Sequence, residues 1–150
     1  MCEISDRWYG QQTELARDLG NQGKHDKAGE IFSQLLKNCG GPRAGEILHN
    51  RGVNLQGAKE FTEASRVLRA ALVLREEAGD EVGAAFTAFQ IPMCHLVAGE
   101  SKEDLRVAFE RAREAIEDAI KKPGLDSSTL ANLKQNLAFC LQIGDKPQAH

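Results

Sequence analysis

Residues 45–77 read GEILHNRGVNLQGAKEFTEASRVLRAALVLREE, and their apolar and small residues return every three or four positions in two runs. Leu48, Gly52 and Leu55 make the stripe of a first helix; Ala64, Val67, Leu68, Ala71 and Leu72 make that of a second. Gly57 and Lys59 fall between the runs, so the stretch reads as a helical hairpin closed by a tight turn. Ala64 is the small residue expected where the two helices cross most closely, and Arg75 is expected on the exposed face of the second helix.

Outward from this hairpin the same arrangement recurs. On its N-terminal side a helix over about 6–20 carries Trp8, Leu15, Ala16 and Leu19 and stops at the turn Gly20-Asn21-Gln22-Gly23. Asp26 is expected to cap a second helix reaching about Asn38, with Ala28, Ile31, Phe32, Leu35 and Leu36 on one face. Gly40, Gly41 and Pro42 then break the chain. Beyond Gly79 and Asp80, a helix with Phe86, Phe89, Met93 and Leu96 contains Pro92, which predicts a bend or a late start. Ser101 and Asp104 form a capping-box pattern opening a helix from Leu105 to Ala119, where Arg113 and Glu117 lie one turn apart. Lys121, Lys122, Pro123 and Gly124 close it. Asp126 or Ser127 caps a last helix to about Ile143.

Laid over one another, the second helices match in order: Ala28, Phe32 and Leu35; Ala64, Leu68 and Ala71; Leu105, Phe109 and Ala112. Ala28 to Ala64 is a step of 36 residues and Ala64 to Leu105 a step of 41, and each step is the same at all three positions. First-helix leucines Leu19, Leu55, Leu96 and Leu141 keep the same order. A hairpin of this kind cannot bury its stripe alone, so neighbours must stack. The expectation is an all-α fold of about seven helices, a right-handed superhelical solenoid of stacked antiparallel pairs in one domain over 1–150. Its repeats span about 9–42, 45–79 and 82–122, with a final helix at about 127–143.

Composition narrows the function class. With 41% apolar and 27% charged residues the chain falls in the globular range. A net charge of -3, with cations and acids interleaved, offers no polyanion surface, so no nucleic-acid partner is expected. No apolar run reaches the roughly 18 residues of a spanning helix, and the opening residues do not read as a secretory signal. The expectation is a cytoplasmic protein without a membrane partner. Cys2, Cys39, Cys94 and Cys140 are widely spaced and form no CxxC pair, so they are read as reduced, helix-packing cysteines.

The pattern resembles the tetratricopeptide repeat, in which a first helix carries Leu-Gly and an aromatic and a second carries Ala-x3-Phe. Ala28 and Phe32 match outright; Leu48, Gly52 and Leu55, then Leu137, Ala138 and Leu141, follow the first-helix pattern. Steps of 36 and 41 are closer to the longer-period variety of the family. Arg51, Pro92 and Leu105 depart from it. The resemblance implies that first helices line a concave groove that takes a peptide or helical segment of a protein partner. Matching its groove-facing positions residue by residue assigns Arg17, then His49, Asn50 and Val53, then Gln90, then Gln135, Asn136 and Phe139. Asn50 and Asn136 fall where many members keep an asparagine that holds a ligand backbone, a task suited to an amide that both donates and accepts. The clamp by which chaperone-docking members hold a terminal carboxylate is absent: Thr13 and Arg17 stand in its first repeat and Thr87 and Ile91 in its third.

Catalysis needs convergent groups, and none is evident. Adjacent helical residues diverge by about 100 degrees, so Cys94 and His95 do not face one another as nucleophile and base. His25 reads as a turn residue that packs and His49 as a groove residue. No HExxH, GxSxG or phosphate-binding glycine loop occurs. No enzyme, no metal site and no cofactor are expected. A second reading is an assembly domain or a fragment of a longer repeat protein, stacking through its open C-terminal end as a weak homo-oligomer. Leu130, Leu133, Leu137 and Leu141 motivate it, since they resemble a first helix without a second.

Overall fold

Four helix ends in this chain are built the same way, and that shared stop sets the hairpin geometry. In the computed structural model, which describes residues 4–144, Gly23, Lys59, Gly79 and Gly99 take positive φ of 81°, 65°, 73° and 104°. In each case the next residue's N–H reaches back into the last turn: Lys24 to the Leu19 carbonyl at 2.8 Å, Glu60 to Leu55 at 2.9 Å, Asp80 to Arg75 at 2.9 Å and Glu100 to His95 at 3.1 Å. Such left-handed stops satisfy the orphan carbonyls and turn the chain sharply. Lys59 adopts this conformation with a Cβ, against its steric preference.

Seven helices lie among the described residues, and no strand: α1 (Asp6–Asn21), α2 (His25–Asn38), α3 (Pro42–Gly57), α4 (Phe61–Glu77), α5 (Glu81–Val97), α6 (Arg106–Ile120) and α7 (Ser127–Gly144). None of them is long and apolar enough to cross a membrane. They form two compact units, the first ending at Asp80 and the second beginning at Glu81.

In the first unit α1 packs on α2 and α3, α2 on α3, and α3 on α4. Tyr9, Ala16, Ala28, Phe32, Leu35 and Ile47 form the core of the first three helices. The α3–α4 crossing is a seam of small residues. Gly45 and Gly52 lie seven apart on α3 and face a helix on which Ala64 and Ala71 are fully buried. A Cβ on Gly52 would come within 2.6 Å of Leu68 Cγ, and one on Gly45 within 2.8 Å of Arg75 Cγ. Close backbone approach of this kind requires glycine. Ala64 is at the tight crossing as expected.

The second unit packs α5 on α6 and α6 on α7. Phe89, Phe109 and Phe139 meet with ring centroids 5.7–6.1 Å apart, beside Leu105, Ile116, Leu133, Cys140 and Ile143. Asp126 accepts the Thr129 N–H at 2.7 Å and caps α7, and the Arg113–Glu117 pair forms at 2.6 Å.

Several expectations are corrected. Trp8 and Leu15 are exposed, at 41% and 46%, because α1 turns Tyr9, Thr13 and Ala16 inward. Arg75 is buried at 7% rather than exposed: its stem covers Gly45, whose missing side chain leaves room for it. Asp26 does not cap α2, which starts at His25 with no side-chain cap. Ser101 Oγ accepts the Asp104 N–H at 3.2 Å, but that turn precedes α6, which begins at Arg106. Pro92 lies inside α5, which is continuous and starts at Glu81, so the late start does not occur. Leu141 is 47% exposed, and α7 buries Cys140 and Ile143 instead. Cys39 is disulfide-bonded, while Cys94 and Cys140 are free and buried. Spacing along the chain does not reveal which thiols a fold brings together. The expectation for Cys2 lies outside the described residues.

Candidate functional site

Along two turns of α3, His49, Asn50, Val53, Asn54 and Gln56 line one cavity. With α1 and the start of α2 they enclose a volume of ≈ 520 Å³. From α1 come Ala16, Arg17, Gly20 and Asn21, and from α2 His25 and Phe32. Arg17, His49, Asn50 and Val53, four of the residues assigned from sequence, are therefore brought together around one opening.

The floor of this cavity is pinned by a pair the sequence reading missed. His25 Nδ1 lies 2.9 Å from Asn54 Oδ1, and Asn54 Nδ2 donates to the His25 carbonyl at 3.1 Å. An oxygen acceptor facing Nδ1 places the imidazole proton there. The two contacts tie the start of α2 to the last turn of α3. Gly57 and Gly20 keep the junction open, since a Cβ would meet His25 Cε1 at 3.0 Å or Asn54 Oδ1 at 3.1 Å. The signal was available: Asn54 lies one helical turn beyond Asn50.

A second polar anchor holds the other end of α1. The buried Tyr9 hydroxyl donates to Glu46 Oε1 of α3, and Arg43 stacks 4.3 Å from the Tyr9 ring centroid while pairing with Asp6. Burial, then Glu46, pushes the phenol well above its usual range. The α1–α3 wall is thus held by an α2–α3 contact at one end and an α1–α3 contact at the other.

Charge on this wall is positive where His49 lies. Burial first, then Arg75 and Arg17, lowers the His49 imidazole to about 4, so it is neutral near pH 7. Burial also lowers Arg75, which Asp80, Glu46 and Tyr9 counter; its Nε is 3.9 Å from Asp80.

The remaining assigned residues belong to the second unit. Gln90 on α5 is half-buried, Gln135 on α7 is exposed, and Asn136 is half-buried. Phe139 is edge-on to Phe89 and packs with Phe109, so much of its ring serves the core of that unit. None of these four lines the cavity of the first unit. Of the reactive side chains, Cys94 is buried with its thiol pushed up by burial, His95 pairs through Nδ1 with Glu100, and burial raises Cys140 to about 11. Both thiols are held protonated near neutral pH.

No known family profile matches the chain, and neither does any curated protein. Its backbone is similar to the crystal structure of PcrH in complex with the chaperone binding region of PopD. The TM-score is 0.62 at 17% sequence identity, over 97% of this chain and 99% of that one. The fold is an all-α helical repeat. The likeness extends across nearly the whole of both chains.

Proposed function

We propose that this helical repeat is a protein-interaction module of the tetratricopeptide type, holding an extended or helical segment of a partner protein against the α1–α3 wall. The observation that carries the reading is the cavity itself, where Arg17, His49, Asn50 and Val53 meet on rigid helices beside a locked floor. Asn50 supplies an amide for a ligand backbone, and Val53, 41% exposed, supplies an apolar contact. The likeness to PcrH, seen with a bound segment of PopD, supports the same use of the fold. On this reading the chain binds and does not catalyse: its buried thiols are protonated, and His95 is engaged with Glu100.

Affinity capture with the intact protein, repeated with Asn50→Ala, tests the proposal. Recovered partners that bind the native chain and lose about 1 kcal/mol or more with the variant support it. Partners that bind both forms equally rule the wall out as the docking face.

An assembly role has one observation in its favour. On α7, Leu141 is 47% exposed one turn from Leu137, which lines an open groove with Ile120 of α6. Concentration-dependent dimerisation in light scattering, abolished by Leu141→Lys, distinguishes this reading.

A further inference from the structure

Resting on the docking wall proposed above, we infer that the α1–α3 cavity selects an acidic side chain of the partner segment, with Arg17 as its ion-pairing group and the Asn50 amide as a second donor. No carboxylate is among the residues that line this cavity, whereas Arg17 and the imidazoles of His25 and His49 are. The side chains of Arg17 and Asn50 have no hydrogen-bond or ion-pair partner among the described residues, while Asn54 is already committed to His25. An unpaired guanidinium and an uncommitted amide thus line a cavity that contains no carboxylate of its own.

The charges around the opening favour the same ligand. Glu14, Asp18 and Glu46 share Arg17 with a neighbouring cavity on the Tyr9 side, and none of them lines the His49 side. An acidic ligand group therefore meets Arg17 from the His49 side and is kept from the other by like charge. A lysine in the same place would face Arg17, with the buried Arg75 behind His49, and find no carboxylate. Burial is the main cause of the lowered His49 imidazole, and Arg75 and Arg17 add to it. The guanidinium offers a planar fork to a carboxylate.

The test uses the full chain and three pools of short peptides, acetylated and amidated so that neither end is charged. The pools are randomised over uncharged residues except for a fixed central Glu, Gln or Lys. NMR signals of the Asn50 side-chain amide and the Val53 methyls are followed. The Glu pool is expected to shift them at concentrations roughly tenfold below the Gln pool, the scale of one charge-assisted hydrogen bond, with the Lys pool weaker still. Arg17→Gln, a change at an exposed position, should bring the response to the Glu pool level with that to the Gln pool. Equal response to the Glu, Gln and Lys pools, or a Glu preference that survives Arg17→Gln, overturns acid selection while leaving the docking wall standing. Absence of any shift on α1 and α3 with all three pools overturns both.

Discussion

His49 and Lys59 are the two residues whose local chemistry makes the clearest demands on the fold. His49 is neutral when folded, with its pKa lowered to about 4, and protonates near 6.5 once unfolded. The unfolded state therefore binds the extra proton between those values, and the stabilising contribution is complete above about pH 6.5 and declines as the pH falls toward 4. Between pH 7 and pH 5 the native protein should lose about 2 kcal/mol through this group, a loss absent in His49→Gln. Urea midpoints of the two proteins at both pH values check it; parallel losses would remove His49 from the account. At Lys59 the expected direction is opposite. A glycine there relieves the left-handed strain at φ 65°, so Lys59→Gly should gain roughly 0.5–1 kcal/mol despite the added freedom of the unfolded chain. A third residue reverses its sequence reading: Arg75 looked like a surface position, but burial of its stem over Gly45 predicts that Arg75→Ala costs roughly 1–3 kcal/mol instead of being silent.

Helix pairing is decided at the α3–α4 seam. Gly52 faces Leu68, which is fully buried and cannot withdraw, whereas the atom nearest Gly45 belongs to the flexible stem of Arg75. Gly52→Ala should therefore cost more than Gly45→Ala, on the order of 2 kcal/mol against a much smaller change. Ala64→Leu, on the partner helix, should cost about 1–3 kcal/mol by overpacking the same contact. Reversal of the glycine ordering in urea denaturation would mean that α3 approaches α4 elsewhere. In α5 the lesson differs. Pro92 is tolerated inside a continuous helix because it lies among buried neighbours on nearly every side, so tertiary packing outweighs one missing N–H.

For the molecule as a whole, the two compact units bring different assets. The first holds the locked wall and its cavity; the second holds an aromatic core in which Phe139 takes part. Asn50 and Asn136, alike in repeat position, belong to different units. Neither side chain bonds to another described residue, so Asn50→Ala and Asn136→Ala should leave thermal stability nearly intact. Where either amide holds the backbone of a partner segment, its variant should weaken capture of that partner by about 1 kcal/mol or more. Variants that lose stability and keep affinity would assign these amides to the scaffold.

What could be read from the chain alone was whatever depends on local periodicity and short-range stereochemistry. Seven helices, their order, the small residue at position 64 and the glycine stops all follow from spacing and from which residues tolerate a left-handed turn. That Arg17, His49, Asn50 and Val53 line one cavity follows the faces that helical register gives them. Only the tertiary structure decided which of two neighbouring side chains turns inward: Tyr9 over Trp8 on α1, Cys140 over Leu141 on α7, and Arg75 instead of solvent on α4. A rotation of a helix by less than one residue makes that choice, and it is set by the shape of the helices opposite. The His25–Asn54 lock shares this origin, since it depends on groups 29 residues apart in sequence meeting at a helix junction.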